Sequence, residues 1–94
     1  MIVELSAVPL GYTSLSKFVA EVLKLIEQCG IKYSLNPMGT VVEVKSFQEL
    51  SEILEKIDKK LKELGSTRNY YVLKIDTKEV EMEKKVKSVV EKMS

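Results

Sequence analysis

The chain has 94 residues, 45% of them hydrophobic and 31% charged, which suits one compact domain spanning residues 1–94 and argues against disorder. Its formal net charge is +1, so no broad basic field draws in nucleic acid. It has no His and one Cys, Cys29, which excludes an internal disulfide, a usual structural zinc site, and His-based acid–base or Ser-His and Cys-His chemistry.

Ile2 to Leu10 alternates, with Val3, Leu5 and Ala7 on one face and Glu4 and Ser6 on the other, so it predicts a first strand ended by Pro9 and Gly11. The segment lacks a basic leader and does not read as a signal peptide. No apolar run reaches membrane-spanning length, so a cytoplasmic protein without membrane contact is the expectation. Thr13, Ser14 and Ser16 offer capping hydroxyls for a first helix. Its apolar face is Leu15, Phe18, Val19, Val22, Leu23 and Ile26, and Gly30 closes it. Ile31, Tyr33 and Leu35 alternate with Lys32, Ser34 and Asn36 in a second strand. Asn36-Pro37-Met38-Gly39 predicts a turn in which Gly39 takes an unusual backbone angle. Thr40 to Lys45, rich in β-branched residues, is the third strand and forms a hairpin with the second.

Ser46 and Glu49 make a capping box for a second helix, whose stripe is Leu50, Ile53, Leu54, Ile57 and Leu61. Gly65 stops it. Tyr70 to Asp76 is a fourth strand, with Tyr71, Leu73 and Ile75 on one face. Thr77 is placed to cap a last helix near residues 79 to 93, striped by Val80 or Met82, then Val86, Val89, Val90 and Met93. The order β-α-β-β-α-β plus a terminal helix is the split βαβ, ferredoxin-like pattern of an α+β fold. Right-handed crossovers put both main helices on one side of a four-stranded antiparallel sheet ordered 4-1-3-2.

The other sheet face carries Ile2, Val8, Val41, Tyr70 and Val72 among polar residues. That is a large apolar set for water, so this face or an edge strand is expected to pack on another copy, unless the terminal helix covers it. The stretch from Tyr33 to Glu43 supplies a ring, an amide, a hydroxyl and a carboxylate around one turn; hairpin chemistry alone accounts for these residues, and they also suit an aromatic or cationic ligand. Arg68 suits an anion or a solvated surface. Glu4 and Glu43 on neighbouring strands form a carboxylate pair, but no nucleophile, metal or oxyanion site accompanies them. The strands lack the aromatics with which this fold stacks RNA bases.

Val8-Pro9-Leu10-Gly11 followed by Ser14 and Ser16, Tyr33, Pro37-Met38-Gly39-Thr40 with Glu43, Gly65 with Arg68, and Leu73-Lys74-Ile75-Asp76 together resemble the thiamine-binding, YkoF-like family of small ferredoxin-like proteins, long catalogued as uncharacterised. Pro-Met-Gly-Thr-x-x-Glu is the most specific piece. The chain differs at Val44, where the family often has Gly, and at Lys78, where it often has Arg. The resemblance implies a homo-oligomer, commonly a tetramer, that binds thiamine or its hydroxymethylpyrimidine part without catalysis or a cofactor. It implies Tyr33, Asn36, Thr40 and Glu43 as ligand residues, with Ser6, Ser14 and Arg68 in support. Glu43 would balance positive charge or accept from an aminopyrimidine, Thr40 and Asn36 would hydrogen-bond, and Tyr33 would give ring contact. The alternative is a structural or regulatory homo-oligomer with no small ligand.

Overall fold

A computed structural model describes residues 1–94. The elements run β1 (Ile2–Pro9), α1 (Ser16–Gln28), β2 (Tyr33–Asn36), β3 (Gly39–Glu43), α2 (Phe47–Glu63), β4 (Asn69–Asp76) and α3 (Met82–Lys92). The sheet is fully antiparallel in the order β2-β3-β1-β4, as the crossover argument requires. β1 pairs with β4 along its whole length, from Ile2 opposite Asp76 to Pro9 opposite Asn69. It pairs with β3 only from Ile2 opposite Glu43 to Leu5 opposite Thr40.

Period-two alternation divides the side chains between two faces. Val3 and Leu5 of β1 and Val42 of β3, followed by Val44, are buried with Phe18, Val22 and Ile26 of α1 and Leu50, Ile53, Ile57 and Leu61 of α2. Both main helices therefore cover the same face. α1 and α2 end alike: Gly30 and Gly65 take φ of 70° and 107°. Ile31 N–H then donates to the Ile26 carbonyl and Ser66 N–H to the Leu61 carbonyl, a Schellman closure at each end.

Four local expectations need correction. α1 starts at Ser16 behind Leu15, and no side chain caps it; Ser14 and Ser16 instead approach each other, with Oγ atoms 3.5 Å apart. The capping box of α2 is shifted by one residue on its return arm. Ser46 Oγ accepts from Glu49 N–H at 3.1 Å, but the Glu49 carboxylate reaches the N–H of Lys45. At the hairpin, no non-glycine residue has positive φ and Gly39 is not among the glycines that do. The two-residue Pro37-Met38 loop is therefore not a primed turn. Gly39 is needed for closeness: a Cβ there would lie 3.3 Å from both the Leu5 carbonyl oxygen and Ser6 Oγ. Finally, Thr77 does not cap α3. The helix starts at Met82 behind an extended Glu81, after residues 77–81 run without helical structure.

α3 buries only Met82, while Val86, Val89, Val90 and Met93 stay exposed. The helix projects from the body, which gives a long axis of 47 Å and a radius of gyration of 14.2 Å; a compact chain of this length has about 12 Å. It therefore does not cover the open sheet face. No helix is long and apolar enough to cross a membrane.

Candidate functional site

Chain direction fixes which groups share an end of the sheet. The end of β1, the start of α1, the β2–β3 turn, the end of α2 and the start of β4 lie at one end, called here the hairpin end. The opposite end holds the start of β1, the end of β3 and the start of α3. Ser6, Ser14, Asn36, Thr40 and Arg68 belong to the hairpin end. Tyr33 lies lower, opposite Val42. Glu43, opposite Ile2, lies at the far end.

The sheet itself separates them further. Tyr33, Leu35 and Thr40 fall on the helix-covered face, because Tyr33 pairs with Val42 and Leu35 with Thr40. Ser6, Asn36 and Glu43 fall on the open face. The stretch from Tyr33 to Glu43 therefore does not converge on one hollow. It presents a ring and a hydroxyl to one side, and an amide and a carboxylate to the other.

Several of these side chains already have work inside the fold. Ser6 Oγ donates to the Met38 carbonyl at 3.2 Å and so ties β1 to the turn. Asn36 Nδ2 donates to the Ser34 carbonyl at 3.4 Å. The Glu43 carboxylate accepts from the N–H of Met82, the first residue of α3. A carboxylate at a helix N-terminus meets unpaired N–H groups and the positive end of the helix dipole, so Glu43 anchors α3. Arg68 contributes through its backbone: its carbonyl accepts from Leu10 N–H at 2.9 Å and from Ser66 Oγ. Its side chain is in solvent.

The helix-covered side of β2 and β3 is different. α1 leaves part of it bare: Leu35 is 56% exposed and Tyr33 half-buried, while the adjacent Thr40 is 7% exposed. The loop that opens α1, carrying Ser14, lies at the same end. This partly bare strip of the helix-side face, called here the shelf, carries the Tyr33 ring and the Leu35 side chain at its surface and a largely covered Thr40 between the strands. Leu35 alternates with Ser34 and Asn36 and so faces the helix side. β2 is a short edge strand, however, so a core-facing position on it need not be covered.

Two hollows lie elsewhere. A groove of ≈ 960 Å³ runs between α2 and β4, past Phe47, Leu54, Leu73 and Ile75, and takes in none of the seven expected site residues. A cavity of ≈ 570 Å³ at the far end is lined by Met1, Cys29, Lys32, Glu43, Glu79 and Lys84 among others. Three of its charges, Lys32, Glu43 and Lys84, already have partners in α3 or at its N-terminus. The Lys32 ammonium, hydrogen-bonded to Glu83, is held above its usual pKa, and Glu83 is lowered by the same contact. Lys85 likewise lowers the Asp76 carboxyl. No three His, Cys, Asp or Glu residues are grouped as a metal would need. Glu4 stands opposite Val41 and Glu43 opposite Ile2, so the carboxylate pair is only diagonal, and one member is committed to α3.

One polar network binds α2 to β4. Asp58 Oδ1 accepts from Asn69 Nδ2 at 2.9 Å and from the Tyr71 hydroxyl at 2.7 Å, and Lys62 pairs with Oδ2 at 2.8 Å. The Lys62 hydrogen bond, followed by those of Asn69 and Tyr71, lowers the Asp58 pKa to about 2. Burial, then the bond to Asp58, raises that of Tyr71.

Comparison with known proteins gives consistent relatives. The family model described as "Thiamine-binding protein" matches residues 3–90. A UPF0045 protein of Methanothermobacter thermautotrophicus is 35% identical over 95 residues, covering 96% of each chain. The crystal structure of a hypothetical protein of Methanocaldococcus jannascii superposes with a TM-score of 0.81 at 30% identity, over 96% of this chain and 95% of that one. A Thermotoga maritima protein, described as a candidate thiamine biosynthesis or salvage protein, superposes with a TM-score of 0.79 at 24% identity, over 94% and 96% of the two chains.

Proposed function

This chain belongs to the thiamine-binding protein family, and from that premise we propose that it is a non-enzymatic, cytoplasmic, homo-oligomeric binder of thiamine or a related hydroxymethylpyrimidine. The family match over residues 3–90 carries the proposal. We place the flat heterocycle on the shelf beside α1, a reading supported by the exposure of Leu35 and the partial exposure of Tyr33 there. Tyr33 and Leu35 supply apolar and ring contact, Thr40 a hydroxyl for a ring nitrogen or amino group, and Ser14 a second hydroxyl from the loop. Ser6 and Asn36 then act indirectly, by fixing the turn that positions Thr40. Glu43 and Arg68 stand away from the shelf. A tetramer is the assembly expected of this reading.

The test is calorimetric titration with thiamine, with hydroxymethylpyrimidine, and with inorganic phosphate as a control. Thr40→Val keeps the shape and removes the hydroxyl. It is expected to weaken binding of the pyrimidine about tenfold, the scale of one hydrogen bond. Equal affinity in the wild type and Thr40→Val would remove the shelf from the account. Absence of heat with either heterocycle would favour the second reading, a homo-oligomer with no small ligand. The exposed apolar surfaces of α3 and β4 are the observation on that side.

A further inference from the structure

α3 is tied to the body of the chain mainly by charge. Of its residues only Met82, the first, is buried, and the core cluster of 12 side chains takes none from it. Val86, Val89, Val90 and Met93 are at least 56% exposed, so they hold no part of the body. The remaining ties are polar. The Glu43 carboxylate accepts from Met82 N–H, Lys32 pairs with Glu83, and Asp76, the last residue of β4, pairs with Lys85. All three fall on the first turn of the helix. Both ion pairs are about half exposed, where salt screens them and each adds little alone. Ahead of them, residues 77–81 leave β4 without regular structure. The cavity of ≈ 570 Å³ at the far end lies between the two parts: Glu79, Val80 and Lys84 line one side, and Ile31 and Val44 of the core line the other.

We propose that residues 77–92 form a strap over this cavity, hinged after Asp76, that opens as one unit while the sheet and both main helices stay folded, and that ionic strength releases its latch. Closing the strap buries Met82 and half-buries Val80, and little else of it is covered. Opening bares Ile31 and Val44 and frees Lys32 and Glu43 to meet a solute. A helix of 11 residues is marginal by itself in water, so release exposes its amides together. The strap lies at the far end of the sheet from the shelf and works without a ligand there.

The experiment is amide exchange of the labelled full chain by NMR, at one pH, in about 0.05 M and about 1 M NaCl, a change that shortens the screening length several-fold. A nitroxide on Ser88→Cys in a Cys29→Ser background reports the position of α3 through its broadening of the Lys32 and Val44 amides. In high salt the α3 amides from Val86 to Lys92 are expected to exchange about three- to tenfold faster as a group, the scale of two screened surface pairs. Ile26, Ile57 and Leu61 keep their rates, and the broadening falls. Lys32→Gln and Asp76→Asn each raise the α3 rates in low salt and shrink the remaining salt response. Salt-independent exchange of α3, a rise shared by the core, or α3 amides already unprotected in low salt would overturn the strap. Faster exchange with unchanged broadening means that the helix frays in place, which overturns it equally. So would wild-type rates in both latch variants.

Discussion

Asp58→Ala is the most informative single perturbation of the fold. It removes the acceptor for Asn69 Nδ2 and the Tyr71 hydroxyl at once and leaves both donors without their partner. Hydrogen bonds to a charged group contribute about 1.5–3 kcal/mol each, but these two share one oxygen on a side chain that solvent partly reaches. The Lys62 pair, more exposed still, adds little. A total loss of about 2–3 kcal/mol near neutral pH follows, which lowers Tm by about 10–20 °C for a chain of this size. The loss depends on pH, and its sign is fixed. The folded pKa of Asp58 is about 2, below the ordinary 3.8. Its charged form therefore stabilises the fold above the unfolded value, and that contribution disappears as pH falls from about 4 through 2. Urea unfolding of wild type and Asp58→Ala at neutral pH and near pH 2 measures this directly, and the gap between them should shrink by about 1–2 kcal/mol at the acid end. A gap that stays constant across that range would refute the charged network as the tie between α2 and β4.

Gly39→Ala should destabilise by about 1 kcal/mol in urea unfolding. Its new methyl meets the Leu5 carbonyl, which the β1–β3 ladder fixes, and displaces Ser6 from Met38. A neutral or stabilised variant would show that the close approach is not there. Glu43→Ala should speed amide exchange in the first turn of α3, beginning at Met82, while exchange at Ile26, Ile57 and Leu61 in the core stays unchanged. A matching loss across the core would mean that Glu43 supports more than α3.

The framework of the fold was legible because each level of the sequence agreed with the next. Val3 and Leu5 alternate, Leu50, Ile53, Ile57 and Leu61 recur at helical spacing, and Gly30 and Gly65 stand where the helices close. What escaped was set by partners distant in sequence. Thr77 has the right side chain for a cap, but the first N–H of α3 goes to Glu43, 39 positions earlier. Leu35 alternates like a core residue, and only the lateral reach of α1 decides that it lies bare. The polar stretch from Tyr33 to Glu43 looked like one cluster because its members are close in sequence. Strand pleating sends neighbours to opposite faces, so closeness along β2 and β3 divides these groups instead of gathering them. The Asp58 network had no sequence signal beyond a polar residue beside a buried stripe, since its partners come from a separate strand.

The account depends most on a heterocycle resting against the helix-side shelf of β2 and β3. Two-dimensional amide NMR of the labelled protein titrated with thiamine tests this residue by residue. Saturable shifts centred on Tyr33, Leu35, Thr40 and Ser14 are the predicted result. Shifts confined to Lys32, Glu43 and Met82 at the far end of the sheet, or none at any ratio of thiamine, would contradict it.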